Sequence, residues 1–146
     1  MQNVLNIKEK LETQEKQNYA MMRLRLTEEE TLLAEVCAKR DQIVAEGERL
    51  RIGTVDLLKI KENEHAQRDA EGEVKKQVNK VKLAEKNLQT AENRMKEAMQ
   101  ERKIHEKLRE NAFAEFMQEE AMAEAKEIDQ LTSYTYGKKA IGSGDE

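Results

Sequence analysis

The sequence contains no proline and no tryptophan, a single cysteine, and only 3% aromatic residues. Without proline, the strongest interrupter of helices is missing, and few positions remain that can end one. With so few aromatics, 146 residues cannot build a large globular core. The lone Cys37 can form no internal disulfide and fits a reducing compartment. Beside Val36 it reads as a packing residue, since neither a second cysteine nor a histidine is close in sequence to support redox chemistry. No apolar run approaches the roughly 20 residues that span a bilayer. Met1-Gln2-Asn3-Val4 does not open a signal peptide, so the chain is expected in the cytosol. A basic excess is absent as well: a net charge of -4 argues against nucleic acid as the main partner.

What is present is 38% charged and 38% hydrophobic residues, rich in Ala, Glu, Lys, Leu and Arg at helical spacing. That is the composition of long helices and coiled coils rather than of a disordered chain. From Val4 to Leu50, Tyr19, Leu26 and Leu33 form one row of a near-heptad pattern, and Met22, Val36, Ile43 and Leu50 form the other. Leu5, Ile7 and Leu11 extend the pattern less regularly, and Glu29, Arg40 and Gly47 interrupt it. The only break is Arg51-Ile52-Gly53-Thr54-Val55-Asp56, where Gly53 can adopt the left-handed conformation and Thr54 can cap a following helix that has Asp56 in its first turn. Beyond it, Val74, Val81, Leu88, Met95, Phe116 and Ala123 fall in one row, with Val78, Met99 and Phe113 beside them. Ala84, Ala91 and Ala98 accompany its middle and would let two helices approach closely.

The expected fold is therefore all-α: an antiparallel two-helix coiled-coil hairpin with a longer, overhanging C-terminal helix. Its hairpin covers residues 1–137, with helix 1 at about 3–51, a turn at about 52–54 and helix 2 at about 55–136, followed by a disordered tail at 138–146. At about 1.5 Å per residue the helices would span roughly 70 and 120 Å. Pairing outward from Gly53 makes neighbours of Val36 and Ala70, and of Leu33 and Val74. It also brings Glu28, Glu29 and Glu30 near Lys75, Lys76 and Lys80. The segment from about His105 to Tyr136 is left without a partner in the chain. There Phe113, Phe116, Met117, Ile128 and Leu131 share one side, rimmed by Glu115, Glu119, Glu124 and Glu127, as a protein-binding surface would be.

Chemistry-bearing patterns are weak. His105-Glu106 begins like a zinc-protease helix, but position 109 is Arg instead of the second histidine, and His65 is isolated. The carboxylates read as a solvated face rather than acid–base pairs. Gly142-Ser143-Gly144 is too short to cradle a phosphate. The basic run Lys75–Lys82 lacks interleaved aromatics and suits a face matched to the acidic first helix better than nucleic acid. From residues alone, then, the reading is a helical hairpin with a sticky overhang, and a generic structural scaffold remains open.

Three stretches go further. Gln2-Asn3-Val4-Leu5-Asn6-Ile7-Lys8-Glu9-Lys10-Leu11-Glu12 resembles the opening of the flagellar FliJ family, Gly53-Thr54-Val55-Asp56-Leu57-Leu58 resembles the turn of its clostridial-type members, and Lys126-Glu127-Ile128-Asp129-Gln130-Leu131 resembles the family's ending. In order and spacing the resemblance covers essentially the whole chain to Gly137. It implies a non-enzymatic coiled-coil stalk of the flagellar type III export apparatus, similar in architecture to the central coiled coil of rotary ATPases. Such a stalk binds the export ATPase ring, links it to the membrane-embedded export gate and is associated with export chaperones, with no cofactor, metal, nucleic acid or small-molecule substrate. It would sit at the cytoplasmic face of the cell membrane. On this reading Phe113, Phe116, Met117, Ile128, Asp129 and Leu131 face the ATPase ring, while Leu57, Leu58 and His65, at the only other distinct end, face the gate. The stalk of a virulence-type secretion system or of another rotary ATPase is the mechanistic alternative.

Overall fold

The computed structural model describes residues 2–144, with side chains for residues 2–138. Two helices, α1 (Gln2–Leu50) and α2 (Leu57–Gly144), account for nearly all of it, and no strand is present among the described residues. The chain forms two compact units, Glu9–Gln100 and Met1–Lys8 with Glu101–Glu146. The tail expected at 138–146 falls, from 139 on, outside the described side chains, and α2 is helical through Gly144.

The unit Glu9–Gln100 is an antiparallel helical hairpin. Its least exposed positions alternate at three and four residues on both helices. On α1 they run through Glu12, Glu15, Tyr19, Met22, Leu26, Glu29, Leu33, Val36, Arg40, Ile43, Gly47 and Leu50, and on α2 through Ile60, Asn63, Gln67, Ala70, Val74, Gln77, Val81, Ala84, Leu88, Ala91, Met95 and Ala98. This spacing keeps one stripe of each helix turned toward the other over many turns. Alanine recurs at alternate seam positions of α2, and Ala91, at 2% exposure, is the most buried side chain there. A methyl group in place of a longer chain lets the facing helix come close enough to exclude water.

Two seam contacts show the register directly. Asn63 Nδ2 donates to the carbonyl of Ile43 at 2.9 Å, and Gln77 Nε2 donates to both the carbonyl (2.9 Å) and the carboxylate (2.5 Å) of Glu29. Each is a buried or half-buried polar group whose partner exists only if the helices are aligned this way, so a one-turn slip strands it at about 1–3 kcal/mol. The expected nearness of Glu28–Glu30 to Lys75, Lys76 and Lys80 is met by Glu29 and Lys80, which line one groove across the helices, although the polar contacts of Glu29 and Lys76 run elsewhere. Glu29 lies in the seam and serves Gln77, and Lys76 pairs with Glu73 on its own helix at 3.6 Å. Arg40 and Glu71 (3.6 Å) pair across the two helices, and Arg51, in the turn just past α1, reaches Glu64 on α2 (3.4 Å).

Two details of the sequence reading change here. Leu11 is exposed, and Glu12 takes the seam position at 5% exposure, where it pairs with Lys16 at 3.0 Å. The second helix is capped by Asp56, not Thr54: Asp56 Oδ1 accepts from the backbone N–H of Leu58 (3.1 Å) and of Lys59 (3.5 Å). A carboxylate one residue before Leu57 reaches two of the free N–H groups of the first turn and meets the positive end of the helix dipole. Gly53 precedes it with φ 77°, a conformation costly for any residue with a Cβ.

In the unit formed by Met1–Lys8 and Glu101–Glu146, Leu5 is buried at 3% exposure, and Lys8 donates to Glu101 at 2.8 Å. Ile7 is exposed, so the apolar stripe here runs through Leu5 alone. Arg102, His105, Glu106 and Ala112 are half-buried, and every described side chain from Phe113 onward is exposed.

Candidate partner-binding surfaces

Within the second unit, Phe113 and Leu131 are eighteen residues apart, as are Phe116 and Tyr134, and eighteen residues are five helical turns. These four, with Met117 and Ile128, therefore lie on one side of α2, all exposed. The face is not continuous. Glu120, Glu124 and Glu127 fall on the same side, between an upper group (Phe113, Phe116, Met117) and a lower group (Ile128, Leu131, Tyr134). Glu124 and Glu127 were expected as a rim, yet helical geometry puts them within the face. Met117 and Ile128 are about 16 Å apart along the axis at 1.5 Å per residue. Between Glu110 and Asp129 the only positive side chain is Lys126, against Glu110, Glu115, Glu119, Glu120, Glu124, Glu127 and Asp129.

Asp129 lies on the other side of the helix, nearly half a turn from Leu131, so the structure separates it from the five apolar residues with which it was grouped. Tyr134 belongs to this face and was not anticipated, whereas Tyr136, more than a third of a turn from Leu131, flanks it on the side of Asp129. Tyr136 lines a shallow groove with Ile128, Leu131, Thr132 and Thr135. The signal available in sequence was a helix that carries on past Leu131, with Tyr134 three residues beyond it.

At the turn of the first unit, Leu57 and Leu58 are exposed, and His65 stands two turns beyond Leu58 on the same side, with Asp69 3.6 Å from its Nε2. Leu57 is about a quarter-turn away from that pair. Ile52 and Val55 join them as exposed apolar side chains, at 77% and 52%. Sequence reasoning used these two only as connectors, although no helix face was available to cover them.

Two ionisable groups, one elsewhere in the hairpin and one beside Lys8, are shifted from their ordinary range. The Glu101 carboxyl is held below the usual carboxylate range, first by the hydrogen bond from Lys8 and then by the charge of Lys8; burial opposes this and His105 adds to it slightly. The Arg40 guanidinium is held above its ordinary value chiefly by its hydrogen bond to Asp41 (3.2 Å), against the effect of burial. Cys37 is a free, half-buried thiol. Among the described residues no group of three or more His, Cys, Asp or Glu side chains is placed to hold a metal ion, and no helix is long and apolar enough to cross a membrane.

Two antiparallel helices with a polar-punctuated seam, and with apolar side chains left open at a turn and on a C-terminal stretch, make a helical-hairpin protein equipped for surface contacts. Over residues 1–140 the chain matches the family model described as Flagellar FliJ protein. It belongs to that family, and is thereby a component of the flagellar protein-export apparatus, in a family not known for catalysis. No curated protein and no solved structure matches it.

Proposed function

We propose that the chain is a coiled-coil stalk of the flagellar export apparatus that binds the export ATPase ring through the exposed face of α2 and contacts the export gate through its turn. The observation that carries this reading is the run of open apolar side chains from Phe113 to Tyr134 on a helix that has no covering element among the described residues. An apolar face of this kind is retained where a partner covers it. Its split into two apolar groups around Glu120, Glu124 and Glu127 specifies the partner further: a ring lumen that offers two apolar contacts with basic side chains between them. The contacts to the ring are Phe113, Phe116, Met117, Ile128 and Leu131, with Asp129 serving a neighbouring subunit on the opposite side. Leu57, Leu58 and His65 supply the contact to the gate, which places the protein at the cytoplasmic face of the membrane and within reach of export chaperones.

The test is the double variant Phe116→Asp, Leu131→Asp. Phe116 is 55% and Leu131 62% exposed, so a partner can still bury about half of each, worth about 1–2 kcal/mol per side chain. Losing both contacts weakens ring binding by about 30-fold to 1,000-fold. Helicity and thermal stability should not change, because neither side chain packs within the chain. Unaltered ring binding, or a homodimer that the variant dissociates while the wild-type chain leaves ATPase activity unchanged, would refute the stalk reading.

A further inference from the structure

The turn has a chemistry of its own, distinct from a partner-specific contact. Hairpin turns are ordinarily polar, because they are bathed in water. Here Ile52, Val55, Leu57 and Leu58 crowd a seven-residue stretch and stand open. Asp56, the one acidic residue among them, directs its carboxylate inward to the N–H groups of Leu58 and Lys59.

Cations flank this apolar tip on both helices: Arg49 and Arg51 where α1 ends, Lys59 and Lys61 where α2 begins. Glu46 and Glu64 lie about a turn further back, while Glu48 and Glu62 stand one residue behind Arg49 and Lys61, so the four cations are the flanking charges nearest the tip. Arg49 reaches back to Glu46 at 3.6 Å and Arg51 to Glu64 at 3.4 Å. Both are long, exposed pairs of the sort that contribute little and exchange readily for another anion.

We propose that the turn docks on an anionic lipid surface, with Ile52 and Val55 entering the headgroup boundary and Arg49, Arg51, Lys59 and Lys61 meeting lipid phosphates. Open apolar side chains ahead of a cationic collar are what an interfacial anchor requires. The charge order also selects lipid over a second copy of the chain, since two such turns meeting tip to tip would bring their cationic collars together. Binding through so small a footprint is reversible and falls with salt, because the collar acts within a Debye length of the surface.

Flotation of the full chain with phosphatidylcholine vesicles, and with vesicles containing phosphatidylglycerol as well, tests this. Capture is expected only on the anionic vesicles and should disappear at high salt. Ile52→Ser with Val55→Ser should lower it about tenfold or more. Arg49→Gln with Lys59→Gln should lower it roughly 25-fold, at about fivefold per cation. Lys82→Gln with Lys86→Gln, two exposed lysines far from the turn, serves as the charge-matched control that leaves capture unchanged. All three variants alter exposed side chains, and circular dichroism verifies that the helices persist. Absence of capture, equal capture on neutral vesicles, or capture indifferent to the turn substitutions overturns the proposal, as does self-association that Ile52→Ser with Val55→Ser abolishes. No partner protein enters the assay and Ile52 and Val55 are outside the proposed gate contact, so failure here leaves the stalk reading standing.

Discussion

Gly47 occupies the second-to-last seam position of α1, in its final turn, and replacing it with alanine sets two opposed effects against each other. Helix propensity favours Ala over Gly by up to about 1 kcal/mol, the helix-interior value being the upper bound for a position three residues from the end of α1. Against this, a Cβ at position 47 would overlap Asn63 Oδ1, lie 3.2 Å from Asn63 Cγ and come within 2.8 Å of Gln67 Nε2. Those atoms are not free to move aside. Asn63 is held by the Ile43 carbonyl at 2.9 Å and by Gln67 at 2.6 Å. Rotating the carboxamide away leaves a nearly buried polar group without its partner, at about 1–3 kcal/mol. The net expectation is that Gly47→Ala destabilises by about 1 kcal/mol, contrary to the usual outcome of this substitution in a helix. In an Asn63→Ala background the new methyl has room, and the same substitution should stabilise by up to about 1 kcal/mol. Urea and thermal unfolding followed by circular dichroism on the four proteins of the cycle measure the coupling. Additive effects, to within about 0.5 kcal/mol, would show that Gly47 does not exist to admit Asn63.

The cap makes a sharp comparison: Asp56→Ala should cost about 1 kcal/mol of stability, whereas Thr54→Ala should stay within about 0.5 kcal/mol, both read from unfolding curves. Because Glu101 is held below the usual carboxylate range by Lys8, its stabilising contribution is complete above the unfolded-state glutamate pKa and is lost as pH falls through the depressed folded value. Carboxyl titration by NMR should find Glu101 below the other glutamates and see it rise in Lys8→Ala. Register is checked by cysteine pairs at 36 and 70, or 33 and 74, in a Cys37→Ser background, which should crosslink within one chain; crosslinks only between chains would replace the hairpin with an intermolecular pairing.

The apolar rows of α1, Tyr19–Leu26–Leu33 and Met22–Val36–Ile43–Leu50, were legible because a period of three and four residues defines one stripe of a helix whatever it packs against. The absence of proline made two helices the natural reading, and three short motifs pointed to the family. Periodicity, however, gives only an angle around an axis. It does not say which polar residue will find a partner on the facing helix, so the burial of Asn63 and Gln77 became visible only when Ile43 and Glu29 were brought beside them. The same limit applied to Asp56, whose claim over Thr54 depends on which oxygen reaches the first free N–H groups, and to Gly47, whose missing side chain acquires meaning from Asn63. On the C-terminal stretch the sequence by itself determined that apolar residues recur on one side of a helix. The unequal helix lengths already left that stretch without a partner; only the tertiary structure decided where cover ends, with Ala112 half-buried and every described side chain from Phe113 onward exposed, because exposure depends on what the rest of the chain brings alongside.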